Sequence, residues 1–271
     1  MPTLSHTQVT AKENAPLRWM LVLHGLLGRG SNWRTLTRAL VEAHPDWGGV
    51  LVDLRMHGES LGFGPPHTVE AAAEDLDGVA ETLPGPVEAV LGHSLGGKVA
   101  LAWAARRKGL RHAFLLDTNP GPRPAGRGSE TTQEVLSLLR ALPSAWPSRE
   151  AFVARVEALG QPPAMARWLA MNLVRTGSGF CVAVDLAAME ALLVDVLRRD
   201  DWGVLEAPPP GLRFHFILGG RSGTVQGEDL QRLERLAAAG RLKLTVLKEA
   251  GHWVQVDDAE GTLKALSEGL S

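Results

Sequence analysis

Val87-Glu88-Ala89-Val90-Leu91-Gly92-His93-Ser94-Leu95-Gly96-Gly97-Lys98 is the stretch on which the reading of this chain turns. Its first five residues form a mainly apolar run of strand length, and the residues from Leu95 to Arg107 carry a helical pattern. Between them lies a G-x-S-x-G sequence, Gly92 to Gly96. A serine there sits on a tight strand-to-helix turn, which neighbours without side chains allow to form. Its hydroxyl projects above a sheet at a helix N-terminus, where backbone N–H groups and the helix dipole favour a developing oxyanion. The five letters alone also describe an ordinary glycine-serine turn. The strand before and the helix after give them their chemical meaning.

Outward from this turn, the same alternation continues. Trp19 to Leu23, Val50 to Val52 and Ala113 to Leu116 read as further buried strands, separated by helical patterns over Trp33 to Ala43 and Val69 to Leu83. That rhythm predicts a mainly parallel sheet covered by helices on both faces. It stops at Asn119-Pro120-Gly121-Pro122-Arg123-Pro124-Ala125-Gly126, where neither helix nor strand continues easily. From about Thr131 to Asp201 the pattern is helical throughout, without a strand. After the second breaker, Ala207 to Gly211, strands return at Phe214 to Leu218 and Leu242 to Leu247, with helices near Leu230 to Ala239 and Ala259 to Leu266. The expected organisation is an α/β core of residues 1–120 and 207–271, interrupted by an all-helical cap of residues 121–206.

Composition narrows the function classes. The chain has 271 residues, 45% of them hydrophobic, enough for one large core with an insertion. Its 28 basic and 30 acidic residues leave a formal charge of −2, which removes the electrostatic case for nucleic-acid binding. Cys181 is the single cysteine, so there is no internal disulfide framework and no cysteine-based zinc site. The first residues are polar where a signal peptide needs an apolar run, and no apolar stretch approaches the ~18 residues of a membrane span. A cytoplasmic protein is expected; the sequence carries no signal for its oligomeric state.

A serine hydroxyl needs a base to become a nucleophile. His252, in Gly251-His252-Trp253, follows the last strand by a few residues and takes that part in the chain order serine, acid, histidine. The acid is less direct. The loop after the strand that follows the insertion, Gly219 to Val225, contains no carboxylate, and Glu228 and Asp229 read as dipole partners in the first turn of the next helix. Asp117, at the C-terminal end of the strand after the nucleophile helix, is the choice: ligand-facing groups collect at such strand ends, and a carboxylate there can orient an imidazole. The oxyanion donors are expected to be the backbone N–H groups of Leu95 and of Leu26, the latter in His24-Gly25-Leu26-Leu27-Gly28. That glycine-rich loop lacks the lysine-serine ending and the spacing of a phosphate cradle.

With these pieces in place, the sequence resembles the α/β-hydrolase superfamily, and more narrowly the small esterases that write the elbow as G-H-S-M-G-G-K. Here it reads Gly92-His93-Ser94-Leu95-Gly96-Gly97-Lys98, with leucine for methionine. Val52-Asp53-Leu54-Arg55-Met56-His57-Gly58-Glu59-Ser60 and Ala250-Gly251-His252-Trp253 extend the likeness over about two thirds of the chain. The resemblance implies an esterase or thioesterase working through a covalent acyl-serine, and some members carry the acid on the earlier strand. The missing carboxylate near Gly223 departs from the usual pattern. Asp53, Arg55 and His57 are expected to form a structural loop network.

The expected reaction is cleavage of short- to medium-chain apolar carboxylic esters as small-molecule substrates, with no metal and no organic cofactor. Trp146, Trp168, Met171, Phe180 and Met189 of the cap are the candidate substrate-lining residues. C–C bond hydrolysis or lyase chemistry on the same triad is the rival within enzymes, since the cap sets the substrate. A ligand receptor of the same fold is the rival outside them, and a pure binder has no need of both Ser94 and His252.

Overall fold

A computed structural model describes residues 3–11, 15–123 and 130–270. The chain opens with β1 (His6–Val9) and β2 (Arg18–Leu23), followed by α1 (Arg34–Ala43), β3 (Trp47–Val52) and α2 (Val69–Glu81). The elbow region follows as β4 (Val87–His93) and α3 (Leu95–Arg106), then β5 (His112–Leu116). An insertion contains α4 (Glu130–Ala141), β6 (Ala145–Trp146), α5 (Arg149–Ala158) and α6 (Pro163–Ala170). It continues with β7 (Leu173–Thr176), β8 (Gly179–Val182), α7 (Leu186–Arg198) and α8 (Trp202–Glu206). The chain closes with β9 (Arg213–Gly219), α9 (Gly227–Ala238), β10 (Leu242–Leu247), α10 (Val254–Asp257) and α11 (Ala259–Leu270).

Seven strands form one sheet in the order β1-β3-β2-β4-β5-β9-β10, parallel throughout except where β1 runs antiparallel to β3. Sheet strands that are apolar along their whole length belong between two layers of helix, and β2, β4 and β5 are buried on both faces. Leu21, Leu23, Val50, Val90 and Leu115 are fully enclosed. Each such side chain contributes about 1.5–3 kcal/mol over an exposed one. The edge strand β1 is absent from the sequence expectation: His6-Thr7-Gln8-Val9 is mostly polar and is placed by pairing with β3, with Val9 alone of its four residues buried.

Local signals explain the helix starts. Thr68, Ser148 and Asp185 each accept a backbone N–H from three residues on, at 3.2, 3.1 and 3.0 Å, and so cap α2, α5 and α7. Pro163 begins α6, where its missing N–H costs nothing.

The insertion is helical in the main, with one correction to the all-helical expectation. A second, three-stranded antiparallel sheet in the order β6-β8-β7 runs through it. Its strands are two to four residues long, too short for an alternating pattern to stand out among the surrounding amphipathic helices. Glu130 is included in α4 by its backbone, whereas residues 124–129, which take in the end of the first breaker, lie outside the described residues.

Candidate active site

The turn from β4 to α3 puts Ser94 at φ 53° and ψ −115°, a left-handed conformation that a serine adopts only under constraint. The constraint is steric. A Cβ on Gly92 would collide with the Gly96 carbonyl, and one on Gly96 would come 2.6 Å from the carbonyl oxygens of Leu23 and His24. Glycine alone permits the helix to pack this tightly on the strand ends. Leu95 is the first residue of α3, so its N–H has no acceptor within the helix and lies at the positive end of the helix dipole.

Asp117 lies just past the end of β5, 1% exposed and itself at φ 43°. His252, in the loop after β10, donates through Nδ1 to Asp117 Oδ2 at 2.6 Å. The carboxylate also accepts the Ser222 hydroxyl at 2.5 Å on Oδ2 and the Gly219 N–H at 3.0 Å on Oδ1. Burial alone would raise the pKa of this acid. The bond from His252, the charge of that ring, and the bonds from Ser222 and Gly219 outweigh burial and hold it below the usual carboxylate range. Thr224 places its hydroxyl 3.1 Å from His252 Nδ1 and 3.0 Å from the Ser222 hydroxyl. The loop that lacks a carboxylate therefore surrounds the acid with donors.

His93 holds His252 from the other side: its Nε2–H donates to the His252 carbonyl at 2.8 Å, and the two rings lie 4.6 Å apart. Burial and the neighbouring His252 push the His93 pKa down to about 3, so that ring is neutral at ordinary pH. Sequence reasoning passed over His93, Ser222 and Thr224. His93, adjacent to the serine, carried a positional signal; the hydroxyls carried none.

Ser94, His252, Leu26 and Leu95 all border one cavity of about 750 Å³. Its apolar wall includes Leu27, Val135, Met165, Trp168, Leu193 and Val196. Of the five cap residues expected to line it, Trp168 does so, with its ring 5.7 Å from that of Trp253. The other four point elsewhere. Trp146 packs edge-on against Phe152 and donates to the Pro143 carbonyl, Met189 is wholly buried, and Phe180 lies under the Arg149 guanidinium. Met171 meets the Asn32 side-chain amide through its sulfur. These four residues face the insertion's own packing or its seam with the neighbouring loop, and expecting them at the cavity overlooked which way each side chain points.

Several other polar residues near the site have structural partners. Asp53 accepts the N–H groups of Gly30 and Glu59, and Arg55 makes paired bonds to Asp75 at 2.6 and 2.9 Å. His24, neutral because burial lowers its pKa to about 4, accepts the Leu54 N–H at 3.0 Å. Asp229 accepts the Asn119 side-chain amide at 2.8 Å. Lys98, four residues after Ser94, is 3% exposed and donates to the carbonyls of Pro120, Gly121 and Arg199 at 2.8, 3.0 and 2.7 Å. Asp201 lies 3.5 Å from the same amine, whose pKa burial lowers to about 8. Among the described residues no group of three or more His, Cys, Asp and Glu side chains is placed to hold a metal ion. Nor is any helix among them long and apolar enough to cross a membrane.

A parallel sheet with a constrained serine between strand and helix, facing a cavity shared with a histidine, defines the serine-hydrolase class. Residues 20–265 match the alpha/beta hydrolase family, and the chain belongs to it. It is 27% identical over 263 residues to the sn-1-specific diacylglycerol lipase ABHD11 of Mus musculus, covering 95% of this chain and 82% of that one. It is 25% identical to the 2-succinyl-6-hydroxy-2,4-cyclohexadiene-1-carboxylate synthase of Serratia proteamaculans, over 91% and 90% of the two chains. A marine microorganism esterase superposes with a TM-score of 0.84 at 19% identity, covering 99% and 100%. The protein is an enzyme of the carboxylesterase and lipase type, acting on small organic substrates.

Proposed function

We propose that the enzyme cleaves short- to medium-chain apolar carboxylic esters, with Ser94 as nucleophile, His252 as general base and Asp117 as the orienting acid. One observation supports this above the others: Ser94 and His252 border the same cavity while the far nitrogen of His252 is bonded to a buried carboxylate. That bond keeps the Nδ1 proton in place and leaves Nε2 free to accept. Ser94 attacks the ester carbonyl as His252 takes its proton, and Asp117 stabilises the imidazolium that forms. The N–H groups of Leu26 and Leu95 receive the oxyanion. The imidazolium returns its proton to the leaving alcohol, and water activated by the same base then releases the acid.

The insertion, residues 121–206, serves as a cap over a core of 1–120 and 207–271. Its share of the cavity wall is mostly apolar, with Val135, Met165, Trp168, Leu193, Val196 and Leu197 beside Arg123 and Thr132, which suits an acyl chain better than a sugar. A cytoplasmic setting fits a chain with a single cysteine, Cys181. The test is labelling with a fluorophosphonate probe, expected in the wild type and absent in Ser94→Ala. A panel of p-nitrophenyl esters of increasing acyl length and matched thioesters then reads the substrate. No labelling of the wild type, or labelling that survives Ser94→Ala, overturns the assignment.

A further inference from the structure

Asn172 stands in the turn between α6 and β7, outside the candidate triad, with 3% of its surface exposed. The turn around it is braced from several directions. Arg149, at the start of α5, donates to the carbonyls of Ala170 and Leu173 at 2.5 and 2.7 Å while its guanidinium lies 5.1 Å from the Phe180 ring centre. The Ala183 N–H, just past β8, donates to the Asn172 carbonyl at 2.9 Å, and the Asn172 N–H to that of Leu169 at 3.0 Å. From this frame the side-chain amide leaves the insertion and donates to the Leu27 carbonyl at 3.0 Å. The Leu169 carbonyl lies 3.4 Å from the same nitrogen. Two carbonyls fix the choice of atom: only the NH₂ end of the amide is tolerated there.

Leu27 gives this contact its consequence. It is buried at φ 60°, a left-handed conformation that is strained for a residue with a side chain and persists only where surroundings impose it. The adjoining residue is Leu26, whose N–H faces the oxyanion in the reading above. On its own the loop closes on one carbonyl, that of Gly25, which accepts the Gly28 N–H at 3.0 Å and His24 Nδ1–H at 2.7 Å. The restraint on the Leu27 carbonyl comes from the insertion.

We propose that Asn172 is a positioning residue: its amide, presented by the insertion's small sheet, holds Leu27 in its left-handed conformation and so aims the Leu26 N–H at the oxyanion. On this account the insertion does more than cover the cavity, because it completes the oxyanion hole. The proposal rests on the assignment of Ser94 and the Leu26 and Leu95 amides made under the proposed function.

The test compares full-length wild type, Asn172→Asp and Asn172→Ala. Asn172→Asp keeps the shape but sets a carboxylate oxygen against two carbonyls; Asn172→Ala removes the donor and decides the matter should Asn172→Asp not fold. Three readouts are taken: kcat and KM on p-nitrophenyl butyrate, inhibition by an alkyl trifluoromethyl ketone, and inhibition by the matching secondary alcohol. The ketone forms a tetrahedral oxyanion on serine; the alcohol fills the cavity without one. A displaced oxyanion donor is expected to lower kcat by roughly 10- to 100-fold with KM within about 3-fold. Ketone affinity should fall by the same factor and alcohol affinity should hold. Unchanged ketone affinity, or equal weakening of ketone and alcohol, overturns the proposal. Fluorophosphonate labelling of wild-type Ser94 separates the cases: if it fails, the functional reading fails first; if it succeeds while ketone affinity survives the substitutions, only the role of Asn172 is lost.

Discussion

Replacing Asp117 by asparagine changes few atoms and tests the site most directly. The carboxylate accepts three donors: the Gly219 N–H at 3.0 Å on Oδ1, and both the Ser222 hydroxyl and the His252 ring on Oδ2. A backbone N–H cannot turn into an acceptor, so the asparagine oxygen must take the Oδ1 place. Its NH₂ then faces His252 Nδ1, which can meet it only as an acceptor. The ring proton moves to Nε2, the nitrogen that should receive the Ser94 proton, and the base is in the wrong tautomer. Loss of the carboxylate's charge removes the stabilisation of the imidazolium as well. In the chymotrypsin-type triad the equivalent change costs about 10⁴ in kcat, or about 5.5 kcal/mol of barrier. A similar loss in kcat is expected here on p-nitrophenyl acetate, with KM little changed. Asp229→Asn, which alters a partner of Asn119, should cost less than about 10-fold by the same comparison. Asp117→Asn within about 10-fold of the wild type, or Asp229→Asn as the more damaging change, refutes the assignment of the acid.

Three further outcomes follow from the packing. Burial holds the His24, His57 and His93 rings neutral, with pKa values of about 4, 3 and 3 against 6.5 when unfolded, so the unfolded chain binds more protons below 6.5. Stability should therefore fall as pH drops from 6.5 toward 4, by about 2 kcal/mol per ring at pH 5; a urea midpoint unchanged between pH 7.5 and pH 5 contradicts this. Trp168→Ala, at the cavity wall, should shift the octanoate-to-acetate ratio of kcat/KM by roughly 10-fold. Trp146→Ala should instead cost about 3–5 kcal/mol in thermal melts and leave that ratio alone.

The parts of the molecule that sequence made legible are those in which chemistry or packing restricts residue type over several positions. The run from Val87 to Lys98 foretold a strand, a turn and a helix because small residues are compulsory where α3 crosses the strand ends. Asp117 was reachable as a carboxylate at a strand end facing a loop with none. The insertion resisted. Trp146, Met171, Phe180 and Met189 have the composition of a substrate wall, yet an amphipathic segment presents apolar groups inward and sideways alike, and only side-chain direction separates the two. The hairpin of β7 and β8 carried a signal in Gly177-Ser178-Gly179 that the helical pattern on either side outweighed. Asn172, Ser222 and Thr224 meet Leu27, Asp117 and His252 across segments distant in the chain, and no local pattern announces such a bond.

Lys98 has a consequence beyond its own burial. Its ammonium gathers the carbonyls of Pro120 and Gly121, where the chain departs from the sheet, and that of Arg199, where it comes back. Both ends of the excursion are thereby tethered to one point on the helix that begins beside Ser94. A different excursion, presenting carbonyls at the same two ends, could be anchored there with the elbow undisturbed. Were the excursion exchanged in that way, a change in what the cavity accepts would not require Ser94, Asp117 or His252 to move.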